Sequence, residues 1–289
     1  MRTLWNFLAS VAVPALNEGM RLPRFLGELV RLALERNQPP VEIVIVDDGS
    51  STEHLARHRH CVAAAAERLA RAGSHHRIRL VEGRKNQGKG AAIRRGWSEA
   101  DPGAAWLGFL DADGAVGASE FWRLVAELEE RGHQLDVLCG SRILMAGRRI
   151  HRSTYRHMQG RVFAALAEWT FGLKFYDTQC GVKFFRAALL RPELETLSER
   201  AWLLDLEVLA LIHRLGGRLR EEPIDWSDPG GSKVRFGTDA LRMLVGLRRI
   251  RRNMAARLMP QRRAMPTLGS GGAVNEATTR AASAVGYGR

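Results

Sequence analysis

Cysteine is scarce and badly placed for a covalent framework. The three present, Cys61, Cys139 and Cys180, are odd in number and far apart, with no C-x-x-C. That excludes a disulfide scaffold and a cysteine-based zinc site, and it fits a reducing, cytosolic compartment. Long apolar runs are missing too: no uncharged stretch approaches the roughly 18 residues of a membrane span. There is no internal repeat. Aromatic residues make up 7% of the chain and are not interleaved with the basic ones, so the sequence lacks the stacking surfaces and the motifs of a nucleic-acid binder. His151, His157 and His213 show no metal-ligand spacing. Acidic residues are in deficit, 31 Asp and Glu against 44 Lys and Arg, for a formal charge of +13. Such an excess points to an anionic partner: nucleic acid, a phosphorylated small molecule or a membrane surface.

What is present reads as α/β. The 289 residues, 45% of them hydrophobic, suffice for one large domain or two small ones. "MRTLWNFLASVAVPAL" has the charge and apolar content of a weak signal peptide, but "SVAVPALNE" reads better as a first strand, which the rest of the pattern needs. In "VEIVIVDDGSS", Val41 to Val46 is a β-branched run between Pro39-Pro40 and a turn, as expected of a buried parallel strand. Ser50 and Glu53 have capping-box spacing, which predicts a helix from near Ser51. "RIRLVEG", "AWLGFLDADG" and "LDVLCGSR" read as further strands, and "GKGAAIRRGWSEA" and "SEFWRLVAELEERG" as helices between them. This alternation predicts a doubly wound, mostly parallel sheet with its informative loops at the C-terminal ends of strands, where such sheets bind ligands.

Beyond Arg142 the pattern changes. Ile143 to Phe175 reads as one long basic-apolar helix, "AWLLDLEVLALIHRLG" as another, "LREEPIDWS" as a strand and "DPGGSKVR" as a basic loop. Met243, Leu247, Ile250, Met254 and Leu258 form one stripe of a basic amphipathic helix. From about Pro266 the chain is Gly, Ser, Ala and Thr, a composition expected to be disordered.

Three stretches carry chemistry. "DADG" puts Asp111 and Asp113 at a strand end, where two carboxylates could grip a hard divalent cation bridging a diphosphate; alone, the same letters make a solvated turn. "VDDGS" offers Asp47 and Asp48 for a base N–H or ribose hydroxyls. With Ser50 as the helix cap, both are left over for such work. "GRKNQGKG", Gly83 to Gly90, matches a phosphate-binding P-loop except at its last position, where Gly90 replaces the magnesium-binding hydroxyl. It also follows the third strand rather than the first. A nucleotide diphosphate held with help from Lys89 and a helix N-terminus, the metal sitting elsewhere, is the better reading.

Taken in order and at their spacings, "VAVPALNE", "VIVDDGSSTE", "KNQGKGAAIRRG", "FLDADG", "GSR" and "DTQCGVKFF" resemble the inverting family 2 glycosyltransferases of GT-A fold. With "AWLLDLEVL" and "GGSKVRF", the chain is most similar to the dolichyl- or polyprenyl-phosphate β-glucosyltransferase branch over roughly residues 9 to 258. Val182 departs from the commoner Phe. The resemblance implies a nucleotide-sugar half over about 9–115, an acceptor half over about 116–235, a basic amphipathic helical segment over 236–263 and a tail over 264–289. The implied reaction moves a hexose, foremost glucose from UDP-glucose, to a polyprenyl or dolichyl phosphate, with Mg²⁺ or Mn²⁺. Mannose from GDP-mannose, a soluble acceptor and, outside enzymes, nucleic-acid binding are the alternatives.

Residue by residue, the resemblance places Pro14, Asn17 and Glu18 in the nucleoside pocket and Asp47 and Asp48 on base and ribose. Asn86 and Lys89 border the nucleotide, and Asp111 and Asp113 face ribose, metal and diphosphate. Arg142 lies near sugar or acceptor phosphate, Asp177 lines the reaction centre, and Ser232 and Lys233 sit on a loop that closes over phosphates. Arg148, Arg149, Arg152, Arg156 and Lys183 add cationic supply around the acceptor phosphate. Asp205 and Glu207, two apart on a helix, point to different faces, and the resemblance favours Glu207 as the catalytic one. The expected setting is the cytoplasmic face of an anionic membrane, docked by the amphipathic helix or by a membrane-protein partner.

Overall fold

The structure, a computed structural model, describes residues 6–35, 38–143, 145–151, 154–227 and 238–258. Elements follow in the order β1 (Ala9–Ala15), α1 (Leu22–Glu35), β2 (Val41–Asp47), α2 (Thr52–Arg71), β3 (Arg77–Glu82), α3 (Lys89–Ser98), β4 (Trp106–Leu110) and α4 (Ala118–Arg131). Then come β5 (Val137–Ser141), β6 (Ile150–His151), α5 (Thr154–Phe171), β7 (Val182–Arg186), α6 (Ala187–Leu190), α7 (Leu204–Arg214), β8 (Leu219–Pro223), β9 (Trp226–Ser227) and α8 (Thr238–Leu258).

Seven strands form one sheet in the order β3-β2-β1-β4-β7-β5-β8. Every pairing is parallel except those of β7, which runs antiparallel to both β4 and β5. Successive strand residues feed opposite faces, as a period of two requires. Val11, Val13, Ile43 and Ile45 join one core with α1, α2 and α4. Ala12, Leu107, Phe109 and Phe185 join the other, with α3, α5, α6, α7 and α8. The sheet is therefore covered on both sides, which is why its central strands are mostly apolar rather than alternating, with Ser10, Glu42 and Lys183 as buried exceptions.

The expected strands are found, together with β7, whose "VKFF" hides a buried lysine among apolar residues. Three expectations are corrected. The helix proposed over Ile143 to Phe175 is confined to Thr154–Phe171. Before it, Ile150–His151 form β6, which pairs with β9, and residues 145–149 are irregular chain: Arg149 N–H donates to the Asp225 carboxylate, its carbonyl accepts from Trp226 N–H, and Arg148 reaches Glu120. Second, Ser50 is not the cap of α2. Ser51 holds that position without a side-chain bond, and the Ser50 hydroxyl instead accepts the Asn17 N–H at 2.9 Å. Third, the stripe of α8 faces the protein: Leu247, Ile250 and Met254 are buried in the second core and Met243 packs against it. The side chain of Leu258 and the tail over 264–289 lie outside the described residues, as do Ser232 and Lys233. Among the described residues no helix is long and apolar enough to cross a membrane.

Candidate active site

Parallel strands deliver their C-terminal ends to one edge of the sheet. There β1 leads into Asn17 and Glu18, β2 into Asp48, β3 into the "GRKNQGKG" loop, β4 into Asp111–Asp113 and β5 into Arg142. Because β7 is reversed, its N-terminal end arrives at the same edge, bringing residues 177–181. The Asp111 N–H donates to the Gly181 carbonyl at 2.9 Å, stitching the two loops together.

On one side of this edge the turn after β2 is built by its own carboxylates. Asp47 accepts the N–H groups of Gly49 and Ser50 and a 2.7 Å bond with His58 Nδ1, and both side chains are fully buried. Burial alone would raise its pKa, but the bonds from Ser50 and His58 hold it below the ordinary aspartate value. Asp48 accepts Gln87 N–H on one oxygen and Gly88 N–H on the other, both at 2.9 Å. Asp47 is sealed, contrary to expectation, whereas Asp48 fastens the glycine loop and keeps a further lone pair on each oxygen. Asn17, at φ 57°, exchanges bonds with Ser50 and Ser51. Glu18 is held bidentately by Arg21 at 2.6 and 2.7 Å, and Pro14 lies in β1 opposite Val46.

The P-loop resemblance dissolves in the same geometry. Besides Asp48, the Gly88 N–H meets the side-chain amide oxygen of the exposed Asn86. The Ala91 N–H at the start of α3 donates to Arg200 O at 3.0 Å. A Cβ on Gly88 would lie 2.5 Å from Arg200 O, and one on Gly90 would lie 2.6 Å from Ala201 O. These glycines admit protein backbone, not phosphate. What the loop offers a ligand is Lys89, whose ammonium lies 2.6 Å from Asp111 Oδ1.

Asp113 donates nothing to the fold except acceptance of Ala115 N–H on Oδ1. Burial first, and the neighbouring Asp111 second, push its pKa up, with Lys89 and Arg21 opposing. Two like carboxylates held close, one of them reluctant to ionise, fit a hard divalent cation. No group of three or more His, Cys, Asp or Glu side chains suited to a metal exists among the described residues. Among the described residues, Asp111 and Asp113 are the pair that would be offered to such an ion.

The other side of this edge is differently built. Arg142 grips Asp177 with Nε and Nη2 at 2.6 and 2.8 Å and adds its own N–H at 3.1 Å. Against the cost of burial, the guanidinium holds the Asp177 carboxyl well below the usual range, and Asp177 holds Arg142 up. Asp111 also contributes to the field at Arg142, so the two sides share one electrostatic site. Glu221, which the sequence did not single out, accepts the N–H groups of Tyr176 and Asp177 and the Ser141 hydroxyl; an adjacent Glu pair inside a strand was its only signal.

Two acceptor-side expectations fail. Lys183 is fully buried, with Nζ 2.7 Å from both Asp205 Oδ2 and Cys180 O and over the Phe109 ring, so it cannot meet a phosphate. Glu207, 1% exposed, accepts the N–H groups of Ser198 and Glu199 and the Ser198 hydroxyl. It braces a loop; Asp205 is the one of the pair turned toward Lys183 and Gln179. Arg148 and Arg149 are tied to Glu120 and Asp225, and the side chains of Arg152 and Arg156 lie outside the described residues.

A family profile described as "Glycosyl transferase family 2" matches residues 10–191. Curated relatives include a dolichyl-phosphate beta-glucosyltransferase of Dictyostelium discoideum, 31% identical over 85% of this chain and 74% of its own. One from Saccharomyces cerevisiae is 31% identical over 82% and 72%, and one from Homo sapiens 29% over 78% and 69%. Among solved structures, glucosyl-3-phosphoglycerate synthase from Mycobacterium tuberculosis in complex with Mn²⁺, UDP and glucosyl-3-phosphoglycerate superposes with a TM-score of 0.56 at 16% identity, covering 87% of this chain and 80% of that one. Its complex with phosphoglyceric acid gives 0.55 with the same coverage. At that identity the likeness speaks to fold alone.

Proposed function

The chain belongs to glycosyltransferase family 2 and has the GT-A fold, and from that premise we propose that it transfers glucose from UDP-glucose to a polyprenyl or dolichyl phosphate, with inversion at the anomeric carbon. The observation that carries this is the pairing, at one sheet edge, of an under-compensated Asp111–Asp113 couple with the Arg142–Asp177 pair. The first suits the diphosphate end of a donor and the second the end where an acceptor phosphate arrives. Glucose and the lipid phosphate are favoured by what the relatives in Dictyostelium, yeast and human are.

Asp111 and Asp113 would hold Mg²⁺ or Mn²⁺, which when bound stabilises the charge gathering on the leaving diphosphate. Lys89 adds a cation beside Asp111, and Arg21 contributes to the field at Asp113. Arg142, oriented by Asp177, keeps Nη1 free of hydrogen bonds among the described residues and can offer it to a phosphate oxygen. The acceptor needs no strong base: a phosphate monoester, with its second pKa near about 6, is already a nucleophile at neutral pH. Pro14, Asn17 and Glu18 border the nucleoside. Ser232 and Lys233 are assigned to the phosphates on the resemblance alone.

Support for docking on an anionic bilayer comes from α5 rather than from the stripe of α8. Met158, Val162 and Trp169 are exposed on α5, Trp169 at 81%. On the same helix Arg161 donates to Tyr176 O at 2.9 Å, one residue before Asp177. A lipid tail leaving the reaction centre would find this surface, with the exposed Arg248, Arg251 and Arg252 of α8 as further cations.

The test is incubation with UDP-glucose, GDP-mannose and other nucleotide sugars, Mn²⁺, and either a polyprenyl phosphate or a soluble phosphorylated acceptor. A lipid-linked hexose formed from UDP-glucose is expected. Product only from GDP-mannose, or only on the soluble acceptor, would overturn the substrate assignment, and no product with any pair would overturn the activity.

A further inference from the structure

The glycine loop between β3 and α3 is gripped from two directions. One grip, by Asp48, comes from 39 and 40 residues upstream. The other comes from the loop over residues 198–203, whose Arg200 carbonyl caps α3 at Ala91 and whose backbone fills the space left by the missing side chains of Gly88 and Gly90. That loop has no regular structure of its own and borrows its rigidity. From below, Glu207 of α7 takes its N–H groups at Ser198 and Glu199. From outside, α8 holds it with three residues on one helix face. Gly246 lets the helix close onto Leu203, where a Cβ would clash. Arg249 binds the buried Glu199 bidentately at 2.6 and 2.7 Å. Asn253 donates to the Ser198 hydroxyl at 2.7 Å.

We propose that α8 is a positioning element for the donor site, acting through the Arg249–Glu199 pair. Glu199 is 1% exposed, and a buried carboxylate without its partner must take up water or a proton. Either response moves residues 198–201, and the Arg200 carbonyl moves with them. Ala91 then loses its acceptor, the glycine loop loses one of its two clamps, and Lys89 is no longer fixed against Asp111. The buried stripe of α8 supplies the adhesion; Gly246, Arg249 and Asn253 supply the register. The consequence for nucleotide binding rests on the donor-site reading above, whereas the mechanical link does not.

The experiment compares wild type, Arg249→Ala, Glu199→Gln and Asn253→Ala by hydrogen exchange and by calorimetry with UDP and Mn²⁺. Arg249→Ala should speed exchange in residues 86–93 by roughly tenfold and weaken UDP by a similar factor, with Glu199→Gln and Asn253→Ala showing smaller effects in the same segment. Arg249→Lys, which restores the charge, should recover part of both. If Arg249→Ala does not fold, the two milder variants decide. Exchange that rises only in α8 and residues 198–203, with 86–93 unchanged, would show that the pair merely fastens the helix and would overturn the proposal. Wild type that binds no UDP would sink the donor-site reading, while the exchange data would still judge the link.

Discussion

Asp113 and Asp177 sit at the same edge of one sheet and are pushed in opposite directions. Asp113 has burial and a like-charged neighbour raising its pKa, opposed by one backbone N–H, that of Ala115, and by Lys89 and Arg21 acting through the field. Asp177 is more deeply enclosed, yet a bidentate guanidinium keeps it ionised. The difference separates two uses of a buried carboxylate. A charge completed by the protein is scaffold, and it orients the group that completes it. A charge left incomplete is a place for something to bind.

The largest expected effect comes from attacking the incomplete side. Asp113→Ala should abolish transfer, by about a thousandfold or more if several kcal/mol of leaving-group stabilisation goes with the metal. Its thermal midpoint should stay level or rise, since a like-charge repulsion is removed. Turnover near that of wild type, or full activity in excess EDTA, would break the comparison. On the completed side the expected order is reversed, with stability suffering first. Asp177→Asn strands Arg142, and Lys183→Met strands Asp205. Each should cost about 3–5 kcal/mol in denaturant titrations, as for a broken buried ion pair. A loss below about 1 kcal/mol for both would mean these pairs are more hydrated than their burial implies.

The smallest effect lies far from the site, where a completed charge has no chemistry at all. Asp136, at the opposite edge, is held by Arg218 and Arg186 at a pKa of about 2 against an ordinary 3.8, mainly by the Arg218 hydrogen bonds with burial opposing. A depressed folded value stabilises fully above the unfolded pKa and is lost as pH falls through the folded one. Asp136→Asn should therefore cost about 1 kcal/mol at neutral pH, reduced from the full shift by the exposure of Arg218. The two stability curves should converge as pH drops from 3.8 toward about 2. A gap that persists below that range would show the bond matters through geometry and not charge.

Much of this is legible in the sequence. β-branched runs and Asp-Gly turns are local signals, so β1, β2, β4 and β5 and the loops that follow them can be placed, and with them the edge that carries Asp111 and Asp113; Arg142 and Asp177 are assigned there by the family resemblance, and β7, which delivers Asp177, has no strand signal of its own. Partner choice was not legible, because it depends on which loops meet. Lys183 finds Asp205 across 22 residues, and Asp48 finds Gly88 across 40. Reading Ser50 as a cap freed Asp47 and Asp48 on paper, while the fold seals Asp47 in the turn and has Asp48 fasten the glycine loop. The apolar stripe of α8 had two surfaces it could cover, lipid or protein, and periodicity alone does not distinguish them.

The most direct test sets the two candidate phosphate sites against each other. Calorimetry of the full chain with UDP and with ATP, each with and without Mn²⁺, separates the Asp111–Asp113 couple from the glycine loop. The expected result is UDP binding that requires Mn²⁺ and disappears in Asp113→Ala, with ATP bound weakly and not hydrolysed. Tight ATP binding with hydrolysis, surviving Asp113→Ala, would contradict it and return the phosphate to "GRKNQGKG".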